Sequence, residues 1–267
     1  MSSADAVPSY SGVTVRYQGH VAHIQLDRGD GRNAISSQLA QSIAAACSEV
    51  GARASVRAVV LSSAAASAFS VGADLKERAR FTTDELLAQR PTMRAAFAGV
   101  AGLPQPTIAA IAGHALGGGA ELALSCDLIV ADETAVIGLP EVSVGLVPGG
   151  GGTQLLARRV GYNRAADLIF TGRRLDAAQA YRLGVVDRLV ATGKATEVAA
   201  ALAEQIAANS PVGVRAAKRA LSAGIFGGLT DGLAEEDRAW HEVAVSADRR
   251  EGIAAFVEKR PPVWAGE

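Results

Sequence analysis

Three consecutive glycines, Gly117-Gly118-Gly119, separate two kinds of segment in the middle of the chain. Residues 107–111 form a short segment without charged side chains, which is typical of a buried strand. A helix is predicted from the glycine run to the next strand at 127–130. A strand, a glycine turn and a helix in this order predict a β–α unit. This unit restricts the chain to folds in which helices cover a sheet.

The same alternation continues before and after this unit. Residues 13–17 and 21–26 alternate along the chain around Gly19, which predicts an antiparallel hairpin. Residues 36–47 carry apolar side chains at helical spacing, and further short strands are predicted at 57–61 and 135–138. The expected fold class is therefore α/β, with a layered core.

The pattern changes after about residue 195. Val198, Leu202 and Ile206 recur at helical spacing, and Ser210-Pro211 predicts the cap and first residue of the next helix. Two more amphipathic stretches, near 230–245 and 249–257, complete an all-helical end. We therefore expect a core with the active site in residues 1–197 and a C-terminal helical region in residues 198–267.

Composition narrows the classes of function. The 267 residues include 26 Lys+Arg and 27 Asp+Glu, so no overall basic charge attracts nucleic acid or anionic lipid. Cys47 and Cys126 show no CxxC or Cys–His spacing, and the four histidines show no i,i+4 pair. We expect no metal site, no nucleic-acid partner and a reducing, cytoplasmic location.

Two segments bear on targeting and membranes. Residues 1–8 lack a basic region followed by an apolar region, so no secretory signal is expected. Residues 95–120 contain no charged side chain, yet Pro104, Pro106 and the glycine run interrupt the continuous apolar span of about 20 residues that a bilayer requires. A buried core segment is predicted there, and no membrane partner is expected.

The best-known nucleophile and phosphate motifs are missing. No G-x-S-x-G elbow, P-loop or dinucleotide fingerprint is found in the sequence. Three glycine-containing segments remain as candidates, at residues 68–76, 113–123 and 139–154. Each alone could be a turn, a close helix contact or a loop that leads into a helix.

Taken together, the first two segments can supply an oxyanion hole. The glycine run opens a helix, whose first N–H groups have no intrahelical partner. Glycines also allow a substrate oxygen to approach the backbone closely. Gly72-Ala73 supplies a second N–H from a different loop. Two amides that converge on one oxygen stabilise a transition state by roughly 3–4 kcal/mol each.

Two glutamates accompany these amides. Glu121 falls in the first turn of the helix, where the alternative role of a carboxylate is to complement the helix dipole. Glu141 lies between Pro140 and Val142, and its alternative role is that of a loop or helix-start carboxylate. A pair of half-buried carboxylates beside an oxyanion hole suits proton transfer next to a thioester carbonyl.

These segments, with Asn33-Ala34 and the ending at residues 255–260, resemble the enoyl-CoA hydratase (crotonase) family in order and spacing over nearly the whole chain. The resemblance implies a crotonase-like spiral of ββα turns with a helical C-terminal trimerisation region. It implies a homotrimer or a dimer of trimers. It also places the oxyanion amides on Ala73 and Gly118, and the catalytic acids on Glu121 and Glu141.

The resemblance implies a reaction as well: syn addition of water across the 2,3 double bond of a 2-enoyl-CoA thioester, giving a 3-hydroxyacyl-CoA. Glu121 would deprotonate the water and Glu141, with a raised pKa, would protonate C2. No metal or redox cofactor is implied, because CoA arrives as part of the substrate. The alternatives are an enoyl-CoA double-bond isomerase and a non-catalytic binding member, such as an RNA-binding subunit.

Further residues are candidates for substrate binding. They are Gly72, Asp74, Gly117 and Phe256, with Arg28, Arg32, Lys76 and Lys259 as candidates for the CoA phosphates. For the charged ones the alternative is a solvated surface charge. The resemblance assigns acyl-chain choice to residues 77–98. Apolar side chains in this segment either line a tunnel or pack in the core; they are Phe81, Leu86, Leu87, Met93 and Phe97.

Overall fold

A computed structural model describes residues 10–267. Residues 1–8, for which no secretory signal is predicted, lie outside this range. Within it, no helix combines the length and the apolarity needed to cross a membrane. Residues 107–111, in the middle of the uncharged stretch, form a strand whose five residues are all buried, as predicted for a core segment.

The structure contains ten strands and eleven helices in the described range. The strands are β1 (Val13–Gln18), β2 (Val21–Leu26), β3 (Ala58–Ser63), β4 (Ala68–Ser70), β5 (Thr107–Ile111), β6 (His114–Leu116), β7 (Leu128–Asp132), β8 (Val136–Gly138), β9 (Leu175–Asp176) and β10 (Arg188–Val190). The helices are α1 (Ser37–Ala52), α2 (Leu75–Arg78), α3 (Thr83–Ala101), α4 (Gly118–Leu124), α5 (Gly152–Val160), α6 (Tyr162–Thr171), α7 (Ala177–Leu183), α8 (Ala195–Ala207), α9 (Pro211–Gly227), α10 (Leu229–Val245) and α11 (Ala247–Glu258). A single 3-10 turn, Glu141–Val144, follows β8.

The strands form two sheets. One has six strands in the order β1-β2-β3-β5-β7-β10, and the other has four in the order β4-β6-β8-β9. β1 and β2 form the predicted antiparallel hairpin, while β2, β3, β5, β7 and β10 run parallel. In the smaller sheet β4, β6 and β8 are parallel and β9 is antiparallel.

Three successive turns of the chain repeat one order of elements. In β3-β4, β5-β6 and β7-β8, a strand of the larger sheet is followed by a strand of the smaller sheet, and a helical segment comes next. This repetition is the predicted spiral of ββα turns. Sequence reasoning missed β4, β6, β9 and β10, whose two or three residues are too few to show a period; β8 is equally short but was predicted.

Local sequence fixes where several helices begin. The hydroxyl of Ser36 accepts a hydrogen bond from the Leu39 amide at the start of α1. Thr82 and Glu85 form a reciprocal capping box at the start of α3. Ser210 caps α9 and Pro211 is its first residue, as the sequence predicts.

The predicted boundary at 197/198 falls inside α8, and the structure differs from it. Ala195, Ala199, Leu202 and Ala203 are buried against strands β3, β5 and β7, so α8 covers the larger sheet as part of the core. Its small apolar face allows close approach to the sheet. The helices that extend beyond the core therefore begin with α9. α9 packs along α10, and α10 contacts α11.

Candidate active site

The three glycine-containing segments meet because three neighbouring strands of the smaller sheet are parallel. β4, β6 and β8 run side by side, so their carboxyl ends lie at one edge of the sheet. Ala73 follows β4, Gly118 follows β6 and Glu141 follows β8. Loops at the carboxyl ends of parallel strands are the usual place for a binding site in α/β folds.

The two proposed amide donors lie against one another. A Cβ atom added to Gly72 would lie 2.9 Å from the Gly118 nitrogen and 2.6 Å from the Leu116 carbonyl oxygen. A Cβ added to Gly118 would lie 3.6 Å from the Ala73 nitrogen. Gly72 also has φ +88°, which other residues rarely adopt. Only glycine at position 72 allows the two loops to approach this closely.

Hydrogen bonds leave both amides free to bind a ligand. The Ile35 amide donates to the Gly72 carbonyl oxygen (2.7 Å), and the Asp74 amide donates to the Ile35 carbonyl oxygen (3.0 Å). The Ala73 N–H lies between these bonds on the opposite side of the strand. Among residues 10–267, neither the Ala73 nor the Gly118 amide donates to a protein acceptor.

Buried polar side chains hold the Ala73 loop in place. The Ser70 hydroxyl donates to the Asn33 carbonyl oxygen (2.7 Å) and accepts from the Gly72 amide (3.2 Å). The Asn33 side chain donates to the Ser63 hydroxyl (2.8 Å) and to the Phe69 carbonyl oxygen (3.1 Å). Asn33 itself has φ +49°, a conformation that asparagine tolerates better than most residues.

Glycine at position 119 sets the position of α4. A Cβ at this residue would lie 2.1 Å from the Ser70 carbonyl oxygen, well inside any permitted contact. The first turn of α4 therefore rests directly on the end of β4. The same contact places the Gly118 amide beside the Ala73 loop.

Glu121 is buried and held by the third glycine segment. Its side chain is 3% exposed. Its Oε1 atom accepts hydrogen bonds from the amides of Gly150 (2.7 Å) and Gly152 (2.9 Å). Burial raises the pKa of Glu121, while the amides of Gly152, Gly150 and Gly149 and the charge of Arg90 oppose the rise.

Glu141 lies on the other side of the same helix start. A Cβ on Gly117, the residue before α4, would lie 3.1 Å from its Oε1. Its Oε2 atom is buried without a hydrogen-bond partner in residues 10–267. Burial raises the pKa of Glu141 to about 7, and the Glu121 carboxylate adds to the rise. The unpartnered oxygen is therefore a site where a polar ligand can bind.

The geometry joins four groups within one small site: two free amides and two carboxyl groups whose pKa values are raised. The amides can stabilise negative charge on a carbonyl oxygen, and the acids can move protons on adjacent carbon atoms. This combination is the one expected for chemistry next to a thioester.

The model of the enoyl-CoA hydratase/isomerase family matches residues 16–267. The chain belongs to the enoyl-CoA hydratase/isomerase family. A solved structure, that of an enoyl-CoA hydratase from Bacillus anthracis, has a TM-score of 0.93 and 42% identity, covering 96% of this chain and 100% of that one. The predicted crotonase-like fold is thereby confirmed.

Two relatives among the curated proteins cover most of the chain. Bovine enoyl-CoA hydratase domain-containing protein 2, mitochondrial, is 42% identical over 253 residues, which are 92% of this chain and 85% of that protein. Human methylglutaconyl-CoA hydratase, mitochondrial, is 39% identical over 246 residues, covering 91% of this chain and 73% of that protein. Family membership therefore extends over both the core and the C-terminal helices.

Within this family framework, the other predicted substrate-binding residues occupy different places. Gly72 and Gly117 lie at the amide pair and beside Glu141, as described above. Arg28 donates to the Asp74 carboxylate (2.8 Å) and to the Ala34 carbonyl oxygen, and Asp74 caps α2. These two residues brace the loop that carries Ala73. Arg28 also keeps the pKa of Asp74 below its ordinary value, although burial opposes this.

Lys76, Phe256 and Lys259 are peripheral in a single chain. Lys76 is exposed in α2, and Phe256 is 85% exposed on α11. Lys259 ends α11 with φ +54°. Their role in substrate binding stays a prediction.

The predicted acyl segment divides into buried and exposed residues. Met93 and Phe97 are buried in the main core, and a Cβ on Gly150 would overlap the Phe97 ring at 2.6 Å. Phe81 is half-buried, while Leu86 and Leu87 are exposed. Phe97 therefore supports the loop that holds Glu121, and the other side of α3 faces outward.

Sequence reasoning missed several residues that build the site. The amides of Gly150 and Gly152 bind Glu121, although that segment reads only as a loop before a helix. Ser70 is fully buried and Arg90 lies beside Gly149. The run of four glycines at 149–152 was an available signal, because side-chain-free amides in series are suited to binding a carboxylate.

Proposed function

We propose that this protein is an enoyl-CoA hydratase that adds water to C3 and a proton to C2 of a 2-enoyl-CoA, forming a 3-hydroxyacyl-CoA. The observation that supports this most is the pairing of free Ala73 and Gly118 amides with Glu121 and Glu141 at one helix start. Retention of both acids suits hydration, since water must lose one proton and the carbon chain must gain one.

The amides act on the thioester oxygen. Attack of water at C3 moves negative charge through the conjugated system onto this oxygen, forming an enolate. Fixed N–H dipoles at Ala73 and Gly118 stabilise that charge without reorganisation, and each is worth roughly 3–4 kcal/mol. The glycines at 72 and 119 and the Ser70 bonds hold both dipoles in place before substrate arrives.

The acids divide the proton transfers. Glu121, bound by the amides of Gly150 and Gly152, is the base that orients and deprotonates water. Glu141, whose pKa is raised to about 7, remains partly protonated at neutral pH and delivers a proton to C2. Two neighbouring carboxyls with different environments are suited to these opposite roles.

A product-resolved assay tests this function. Purified protein mixed with crotonyl-CoA should remove the absorbance of the conjugated thioester and yield 3-hydroxybutyryl-CoA. The isomerase alternative predicts conversion of a 3-enoyl-CoA without net addition of water. A protein that shifts RNA in a salt-sensitive manner and turns over no enoyl-CoA would support the non-catalytic alternative instead.

This chemistry requires no metal or redox cofactor, because the amides supply the electrophilic stabilisation and no electrons are transferred. We expect activity to survive chelation by EDTA. Cys47 and Cys126 are buried and free, and burial raises the pKa of Cys47 to about 12. Inert thiols of this kind support a reducing, cytoplasmic location.

The C-terminal helices support an oligomer. A groove of about 790 Å³ lies between α9 and α10 and is lined by apolar side chains, including Leu221, Leu229, Leu233 and Trp240. Exposed apolar surface of this extent marks an interface. We propose that further copies of the chain cover it in a homotrimer or a dimer of trimers. Sedimentation should give three or six times the chain mass of 27.2 kDa, and Leu229→Glu should lower it.

A further inference from the structure

Two arginines lie on the Glu121 side of the site. Arg78 ends α2, the single helical turn that follows the Ala73 loop, and Arg90 lies in α3. Neither residue takes part in the proton chemistry described above. Their surroundings show what they are placed to bind.

Arg90 contacts the loop that holds Glu121. Its Nη1 atom lies 2.7 Å from the position that a Cβ on Gly149 would occupy. The next residue, Gly150, donates its amide to the Glu121 carboxylate. The Arg90 guanidinium therefore lies beside the loop that binds the general base, and its charge opposes the rise in the pKa of Glu121.

Arg78 approaches the same place from the other loop. It is half-buried, and its Nε donates to the Gln89 side-chain oxygen (3.2 Å). Burial lowers the pKa of Arg78, and the positive charge of Arg90 adds to this effect, while Glu77 and Glu121 oppose it. Because Arg78 binds Gln89, the residue before Arg90, both arginines lie at the same turn of α3.

The neighbouring carboxylates are already bound elsewhere. Glu77 accepts from the Ser37 amide (3.0 Å) and from the Gln89 side chain (3.0 Å), and Glu121 accepts from two glycine amides. Within residues 10–267, neither Arg78 nor Arg90 forms an ion pair, and Arg90 forms no hydrogen bond. Guanidinium groups carry five N–H donors each. Arg90 is exposed and Arg78 is half-buried, so most donors of this pair have no protein partner and are open to solvent or to a ligand.

We propose that Arg78 and Arg90 bind a carboxylate at the far end of the acyl chain, so that the preferred substrate is the 2-enoyl thioester of a dicarboxylic acid. This inference rests on the proposed hydratase function. The planar guanidinium fork matches a carboxylate and forms short, charge-assisted bonds with it. A second carboxylate four bonds beyond the thioester carbon reaches about 5 Å from it.

The position of the pair favours the acyl chain over the CoA phosphates. Glu121 acts at C3, on the opposite side of the thioester carbon from the CoA sulfur. Arg90 lies beside the loop that binds Glu121, and Arg78 binds the residue before Arg90, so both lie on the C3 side. An anion that they bind is therefore carried by the acyl group.

Two substrates of equal chain length test the proposal: glutaconyl-CoA, which ends in a carboxylate, and 2-pentenoyl-CoA, which ends in a methyl group. For the wild type we expect a kcat/KM ratio that favours glutaconyl-CoA. Arg78→Met and Arg90→Met should each lower this ratio about 10- to 100-fold, the range for a hydrogen bond to a charged group. Arg78→Lys and Arg90→Lys should restore part of it, because they keep the charge and lose the fork.

The outcomes separate the two levels of the proposal. An equal fall for both substrates in each Met variant would mean that the arginines act on Glu121 alone, and it would overturn the carboxylate site. A wild type that hydrates 2-pentenoyl-CoA as well as glutaconyl-CoA would overturn it too. No hydration of either substrate would instead reject the hydratase function. Arg182→Met on α7, which packs on β9 and β10, is the matched control and should leave the ratio unchanged.

Discussion

The start of α4 and the pair α9–α10 are both built around closely packed glycines, yet they differ in what covers them. At α4, Gly119, Ala120 and Glu121 are buried by the chain's own strands and loops. At the helical pair, Gly224 and Gly232 bring the backbones together, but Leu221 and Leu229 remain 72% and 78% exposed. A single chain therefore buries the reactive groups by itself, but it leaves the apolar surface of its C-terminal helices exposed.

This contrast separates two kinds of constraint. In the site, fixed backbone dipoles and buried acids do the chemistry, so displacements below 1 Å matter. In the C-terminal pair, apolar area is available for association, and its energy depends on total burial more than on any one contact. Changes at α4 should therefore affect turnover, while changes at α9–α10 should affect assembly.

The largest effect is expected from removing either acid. Glu121→Gln and Glu141→Gln preserve shape but cannot exchange protons, so kcat should fall by about 10²- to 10⁴-fold in each. Glu133→Gln, at an exposed position after β7, is the control and should retain wild-type turnover. Steady-state hydration of crotonyl-CoA measures all three variants. Wild-type rates in both acid variants would end the assignment of roles.

The next effect is expected from adding one methyl group under α4. In Gly119→Ala the new Cβ must displace the Ser70 carbonyl oxygen, 2.1 Å away, and so moves the Gly118 amide. Loss of one oxyanion donor should lower kcat by about 10²- to 10³-fold.

A glycine in the C-terminal helices provides the comparison for this variant. Gly213→Ala in α9 meets only ordinary contacts at 3.5 Å and should be active. Denaturant titration gives the fraction of folded protein for each variant, and each rate is divided by that fraction because Gly119→Ala also destabilises the core. Equal kcat values for the two variants would show that the α4 contact does not position the amide.

A smaller effect is expected from pH. Glu141 must be protonated to supply its proton, and burial raises its pKa to about 7. Therefore kcat/KM should decline above pH 7, approaching tenfold per pH unit, while protonation of Glu121 limits activity on the acid side. In Glu141→Gln the alkaline limb should disappear from the residual activity. An unchanged alkaline limb in that variant would assign it to another group.

The same shift predicts a change in stability. An acid whose pKa is higher in the folded chain binds its proton more tightly there, so the wild type loses stability as pH rises from about 4.5 to about 7. Glu141→Gln carries no such charge. It should exceed the wild type in free energy of unfolding by about 1–2 kcal/mol at pH 8, after allowance for solvent screening, and by little at pH 4. Urea titrations at both pH values measure the difference. An equal gain in stability at both pH values would contradict the raised pKa of Glu141 as its cause.

The smallest effect on chemistry is expected at the C-terminal pair. Leu229→Glu places a charge on the exposed apolar surface, outside the site. Its kcat at saturating substrate should remain within about twofold, the range for most surface substitutions, even where sedimentation shows loss of the oligomer. A large fall in kcat would show that neighbouring copies shape the reactive groups, and would weaken the contrast between the two regions.

Several elements could be predicted because their sequence signals are local. The hairpin at β1–β2, strand β5 and the cap at Ser210-Pro211 all follow from period, composition and capping chemistry within a few residues. The placement of Ala73, Gly118, Glu121 and Glu141 came from the resemblance to a family. From spacing alone, Glu121 could equally have complemented the helix dipole, and Glu141 could have been a loop or helix-start carboxylate.

The remaining features depend on contacts between distant segments. Sequence did not show that α8 packs on the larger sheet, because small alanines signal close packing only once the partner is known. It also did not show that Gly150 and Gly152 bind Glu121, or that Arg78 binds Gln89, the residue before Arg90. In each case the segment itself carries no sequence signal for its role, because the role depends on a contact with a residue more than ten positions away.

Infrared spectroscopy of a bound thioester tests the central claim most directly. A 2-enoyl-CoA with ¹³C at the thioester carbonyl is added to Glu141→Gln, which binds it without rapid turnover. If the Ala73 and Gly118 amides both donate to this oxygen, the carbonyl band should move to lower frequency than in water, and Gly119→Ala in the same background should reverse most of the shift. A band that stays at its solution frequency on binding would contradict the account.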